Sequence, residues 1–298
     1  MSGPGSTLSC RAMGRELRRL RALAGLQQAE AARLAETSPQ SIGRMEDGQY
    51  TRITSFQVSA LCNAYRATKI ERKIILALLT EARAAHKGQA EGGWWRAYAD
   101  DFPADFDHYL ALEDAALRTI IWKLAVVPGL LQIPSYRRAV AWSEHPEWSP
   151  EQVQKSIEIS IRRQGRLDDP NFSMNVLLSE YVLHDLIGGK GVMRDQLYHL
   201  ADVCERPNVS IRVVPYNASS HPGAVSGSFT LLEFPELQST KKPEPPVVYV
   251  EGYTGALYLE QEAQILKYRR AVDQIGRVAL DTDDTKRLIL ATAEEYEA

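Results

Sequence analysis

The chain has 298 residues, 44% of them hydrophobic and 24% charged, with 15 prolines; this near-average globular composition excludes extensive disorder, collagen-like repeats and a single small motif. At roughly 100 to 200 residues per domain, two domains are expected. The net charge of −3 conceals an asymmetry, because residues 1–90 hold 14 Lys or Arg against 7 Asp or Glu while the rest hold 21 against 31, so a basic segment suited to a polyanion precedes an acidic body.

No apolar run approaches the roughly 18 residues of a membrane helix, and the opening MSGPGSTLSC lacks a secretory pattern, so the cytoplasm is the expected location and no membrane partner is expected. Cys10, Cys62 and Cys204 are far apart and form no C-x-x-C pair, which reads as three reduced thiols.

In chain order, Leu17, Leu20 and Ala24 share one face of a first helix that starts near Met13 and stops at Gly25. A second, shorter helix over Gln27 to Ala35 carries small residues such as Ala29 and Ala32, which permit a tight crossing. Ser38-Pro39 then supplies an N-cap and a first-turn proline for a third helix ending near Gly48, with Ile42 and Met45 facing inward. Gln40, Ser41 and Arg44 face outward in its first turns. That is the helix-turn-helix arrangement, in which the second element enters the major groove and offers Gln to an adenine edge or Arg to a guanine edge. Gly43 lies on the same face, either letting the helix approach the groove closely or standing as an ordinary exposed glycine. Thr54 to Tyr65 closes the small domain, and a helix over Lys69 to His86 is broken at Gly88 to Gly93.

Leu26-Gln27-Gln28-Ala29-Glu30, continued by Ser38-Pro39-Gln40-Ser41-Ile42-Gly43-Arg44-Met45-Glu46-Asp47-Gly48, resembles the helix-turn-helix of the XRE and phage-repressor regulators. The resemblance implies that Gln28 touches a phosphate, that Gln40, Ser41 and Arg44 face the groove beside Ser38, and that Gln49 and Arg52 contact the DNA backbone. The chain departs from the family where Glu36 occupies a turn position often held by glycine.

Past the break, a mainly helical region is expected to about Gly165. Strands then follow at Ser173 to Leu178, Val209 to Val214, Ser228 to Phe234, Val247 to Glu251 and Ala256 to Leu259, with helices at Val192 to Cys204 and Glu260 to Ala279. The phrases Trp94-Trp95-Arg96, Val127-Pro128-Gly129-Leu130-Leu131-Gln132 and Tyr249-Val250-Glu251-Gly252-Tyr253 resemble the C-terminal domain of unknown function carried by many actinobacterial XRE-type regulators. That resemblance implies a regulator often encoded beside a small partner protein, and no particular ligand.

The motifs of enzymes are missing. Gly188-Gly189-Lys190-Gly191 lacks the Ser or Thr that a phosphate loop needs after its lysine, so it reads as a turn. His86, His108, His145, His184, His199 and His221 show no metal-ligand spacing, and no G-x-S-x-G elbow occurs. His184-Asp185 beside Ser179 and Glu180 has triad residue types, but adjacent helical residues point apart. Trp94, Trp95, Tyr98 and Trp122, with Tyr136, either line an aromatic ligand pocket or build the core of the helical half. Glu113 and Glu251 are either buried partners of arginines or carboxylates at the ends of elements.

The expectation is an α+β protein: an all-α, phage-repressor-like helix-turn-helix domain at 10–67, a helical linker at 68–93, and a larger mixed α/β domain at 94–298 that binds an effector or partner and dimerises. Its expected function is sequence-specific, DNA-binding transcriptional regulation, without enzymatic activity, cofactor or metal. The homodimer would bind a double-stranded operator of two half-sites and answer to a small-molecule effector or a small partner protein from a neighbouring gene. The other reading is an antitoxin-like protein that neutralises such a partner while regulating its own operon.

Overall fold

A computed structural model describes residues 8–92 and 104–297. They fall into two compact units that divide between Ala115 and Ala116, and Phe234–Glu244 groups with the first unit. This differs from a division at residue 93.

The first unit holds α1 (Leu8–Leu23), α2 (Gln28–Leu34), α3 (Pro39–Glu46), α4 (Ser55–Ala64), α5 (Lys69–Gly92) and α6 (Ala104–Ala115). Leu17 and Leu20 of α1, Ile42 and Met45 of α3, Leu61 of α4 and Leu78 of α5 form one buried cluster, as the inward spacing in the sequence requires. Each of the first four helices ends in the same hydrogen-bonded cap. At α2, Thr37 N donates to Ala32 O at 2.9 Å and Glu36 N to Arg33 O at 3.3 Å, and the equivalent pairs close α1, α3 and α4. This Schellman pattern demands a left-handed residue after the helix. Gly25 and Gly48 meet the demand at φ of 70° and 72°, but Glu36 and Arg66 occupy the same position at 49° and 56°, where a side chain is strained. Glycine is doubly required at Gly48, because a Cβ there would stand 2.9 Å from Arg11 Cα.

A capping box starts α5: Thr68 N donates to Glu71 Oε2 at 2.8 Å and Glu71 N to Thr68 Oγ1 at 3.2 Å. The helix does not break at Gly88 as the glycines suggested; it runs on to Gly92. An isolated helical glycine costs only about 1 kcal/mol against alanine, which a long helix absorbs.

The second unit is a six-stranded sheet flanked by helices. Its strands are β1 (Arg118–Lys123), β2 (Ser173–Ser179), β3 (Val209–Val214), β4 (Phe229–Glu233), β5 (Val247–Gly252) and β6 (Gly255–Leu259), in the order β3-β2-β1-β4-β5-β6. β1 pairs in parallel with β2, and β2 with β3; the remaining neighbours are antiparallel. Its helices are α7 (Pro134–Glu144), α8 (Pro150–Gln164), α9 (Tyr181–His184), α10 (Lys190–Val203), α11 (Gly223–Ser226), α12 (Glu262–Val278) and α13 (Thr282–Glu295). On one face Ile121, Val176, Leu178 and Ile211 bury with Leu197 of α10 and Ile289 of α13; on the other Ile120, Leu177 and Leu231 bury with Ile265 and Ile275 of α12. The α+β class stands. The region expected to be helical up to Gly165 nevertheless contains the central strand β1, whose four middle residues are buried. A strand covered on both faces shows a continuous apolar run rather than alternation, and so cannot be told from a buried helix.

Candidate nucleic-acid interface

The α2-turn-α3 pair is held from beneath by a charged cluster. Glu46, 3% exposed, accepts from Arg21 Nε at 2.6 Å and Nη2 at 2.8 Å, and from Gln28 Nε2 at 3.0 Å. Arg21 Nη1 also donates to Leu26 O at 2.8 Å, so one guanidinium ties the end of α1 to the start of α2 and the end of α3. Burial pushes the Glu46 carboxyl up, but the hydrogen bonds from Arg21 and Gln28, with the charges of Arg21 and Arg18, outweigh it and hold the group below its ordinary value. Periodicity carried this signal: Arg21 follows Leu17 by four and Glu46 follows Ile42 by four, which puts two charges on core-facing stripes. The sequence reading missed it.

The residues expected to meet DNA take different roles. Gln40 and Arg52 are exposed, and their side chains hydrogen-bond to no described residue. Ser38 caps α3, its Oγ accepting from Ser41 N at 3.0 Å and lying 2.8 Å from Ser41 Oγ, so both hydroxyls are engaged within the helix start. Arg44 donates from Nε to Gln49 Oε1 at 3.1 Å, so the residue expected in the groove and one expected on the DNA backbone form one exposed pair. Gln28 is anchored on Glu46, and its Oε1 lies 3.5 Å from the Cβ position of Gly43. The open space beside Gly43 therefore receives the Gln28 amide.

The same unit includes a strap missed in the sequence. Glu244, 2% exposed, is paired bidentately with Arg15 of α1, one bond being Nη2 to Oε2 at 3.0 Å, and lies 3.8 Å from Arg11 Nε. Arg11 stacks 5.3 Å from the centre of the Phe234 ring, Leu237 packs on the helical core, and Ser239 Oγ donates to Glu81. Nothing local distinguishes Glu244 from any other loop glutamate, since Arg15 lies 229 positions away and Arg11 farther still.

Of the aromatic residues considered for ligand binding, Trp94, Trp95 and Tyr98 lie outside the described residues. Trp122 is 1% exposed in the sheet core, its Nε1 donating to Gly223 O at 3.1 Å; it is a packing residue, and so is Tyr136 at 0%. Glu113 is buried, whereas Glu251 is exposed at a strand end 3.7 Å from Lys123 Nζ. Gly188 and Gly189 turn the chain with positive φ into α10. His184 Nε2 stands 3.6 Å from Glu180 Oε1 one turn away, and no cluster of metal-ligating side chains occurs among the described residues. Nor is any described helix long and apolar enough to cross a membrane.

A helix-turn-helix domain family matches residues 12–73, covering α1 to the first turn of α5. The family described as a domain of unknown function, DUF5753, matches residues 106–291, more than half of the chain. The chain belongs to the DUF5753 family. No curated protein and no solved structure gives a significant match. The DUF5753 match begins inside α6 and includes the strap over Phe234–Glu244, so part of this DUF5753 chain's family region packs within its helix-turn-helix unit.

Proposed function

We propose that this chain is a sequence-specific transcriptional regulator of the XRE kind, acting without enzymatic turnover, whose DUF5753 region answers to a small-molecule effector or a small partner protein. The reading rests above all on α3: its Ile42 and Met45 edge is buried, its Gln40 edge is exposed and unanchored, and the basic side chains Arg44 and Arg52 stand outward around it. That is what direct base reading requires. One such helix covers too few base pairs to select a site in a genome, so the chain acts as a homodimer on half-sites about one helical turn, roughly 34 Å, apart. The strap supports regulation through the DUF5753 region, because a segment of that region is bonded to α1, which carries Arg21.

Footprinting of the full chain on the DNA upstream of its own gene tests the reading. A protected two-half-site sequence is expected, and Arg44→Ala is expected to lose about 1–3 kcal/mol there and to relax preference at one base pair. Unchanged affinity and preference in that variant would remove Arg44 from the groove.

A further inference from the structure

The sheet unit contains a cavity of about 460 Å³ between the β1-β2-β3 face and α12, within the range of ligand pockets. Pairing register explains its chemistry. Ile120, Asn175 and Ser210 form one row across three strands, and Trp122, Leu177 and Arg212 form the next. Where Ile120 and Leu177 meet Ile275 the face is apolar and covered. Toward the start of β1 and the β3 edge it turns polar: Arg118, Asn175, Ser210 and Arg212 line the cavity, with Asp273 and Arg277 from α12.

Three guanidinium groups thus face one carboxylate. Arg212 is fixed, donating from Nε to Leu280 O at 2.7 Å and from Nη2 to Ala279 O at 2.8 Å, which leaves its Nη1 beside Gly276, 3.7 Å from where a Cβ would stand. Arg118 has only a distant ion partner, Glu233 at 3.8 Å, and that carboxylate makes its close contact with Arg269 at 2.5 Å. Arg277, Asn175 and Ser210 have no side-chain hydrogen bond or ion pair among the described residues. The last carbonyls of α12 oppose an anion, and Arg277 in its last turn counters them, while Arg212 takes the carbonyls of Ala279 and Leu280 just beyond the helix. The result is a positive, partly fixed cradle with an apolar wall, inside a region whose overall charge is acidic.

We propose that this cavity binds a small organic oxyanion, a carboxylate or phosphate monoester with an apolar body. The guanidinium forks of Arg118, Arg212 and Arg277 take the charged oxygens, whose planar or tetrahedral array suits bidentate donation. Asn175 and Ser210 orient the head group, and Ile120 with Val272 receives the apolar part. This deepens the sensing role proposed above and rests on it only for its consequence. Binding is read without DNA, so a chain that binds the anion but ignores operator DNA would fault the regulatory reading and leave the site standing.

Calorimetric titration of the full chain with benzoate, phenyl phosphate, inorganic phosphate and uncharged benzyl alcohol tests it. One-to-one binding of benzoate or phenyl phosphate is expected, with the stronger of the two identifying the head group, and no binding of benzyl alcohol. Arg277→Ala, an exposed position on α12, should weaken the anion about tenfold, and Gly276→Leu should abolish it by filling the space beside Arg212. The circular dichroism spectrum of each variant establishes that it folds. The proposal is overturned if neither organic anion binds at about 10 mM, if benzyl alcohol binds as well, if inorganic phosphate binds as tightly as phenyl phosphate, or if Arg277→Ala leaves affinity unchanged.

Discussion

Glu46 shows how one buried side chain decides the geometry of the helix-turn-helix. With both oxygens taken by Arg21 and one shared by Gln28, its loss strands a largely buried guanidinium, and breaking such a pair costs about 3–5 kcal/mol. Glu46→Gln is therefore expected to lower the urea midpoint of the helical unit sharply at pH 7. The pH sign follows from the depressed carboxyl: a group whose folded value lies below its unfolded value stabilises above the unfolded value, near 4.5, and loses that contribution as pH falls through the folded one. The parent should thus weaken as pH falls below about 4.5, and Glu46→Gln should weaken less over the same window. Parallel pH slopes in the two proteins would sink the assignment. Glu36 gives a test of opposite sign. Its left-handed backbone costs about 1–2 kcal/mol, against about 0.5–1 kcal/mol of extra chain entropy for glycine, so Glu36→Gly should raise stability by roughly 0.5–1 kcal/mol in chemical denaturation. Gly48→Ala should do the reverse, because it meets Arg11 as well as the backbone strain.

Among the elements, those with a clean period were legible. The small-residue second helix, the Ser38-Pro39 start of α3 and five of the six strands all follow from local pattern, because capping and alternation are properties of a few consecutive residues. β1 was hidden by its own burial, and the continuation of α5 to Gly92 by the weight given to glycine. The site was legible to the same depth: the sequence shows which face of α3 is polar, but not that Gln28 is drawn under by Glu46 or that Arg44 leans on Gln49, since side-chain partners are chosen by the fold. A prediction belongs to α3 and the loop after it. Arg52 has no protein partner among the described residues and stands beyond the turns of α3 proposed to read bases, so Arg52→Ala should weaken all DNA sequences alike and reduce the salt slope by about 1. Gln40→Ala should leave the slope intact and relax preference at one position. Binding isotherms of both variants between low and moderate salt on operator and random DNA distinguish them, and a sequence-dependent loss in Arg52→Ala would reverse the two roles.

For the whole molecule, the helical unit is not contiguous in sequence: its α1 to α6 precede the sheet, while Phe234–Glu244 arrives only after β1 to β4. An N-terminal fragment ending before Ala116 therefore lacks the carboxylate that Arg15 grips and Arg11 approaches, and should be less stable than the same helices in the full chain. Glu244→Ala reproduces that loss without truncation. It leaves the 4%-exposed Arg11 without its Glu244 contact, and a cost of about 3 kcal/mol is expected, at the low end for a buried pair because Arg15 reaches solvent. Such a change is local, so it should appear as faster amide hydrogen exchange along α1 and α3 while β2 and α10 of the other unit keep their protection. Uniform loss of protection in both units would make Glu244 a determinant of the whole fold rather than of the helical unit, and unchanged exchange in α1 would dismiss the strap as a support. If α1 loosens, operator affinity should fall with it, because the Arg21 on α1 that steadies Glu46 at the end of α3 and Leu26 ahead of α2 shares that helix with Arg11 and Arg15.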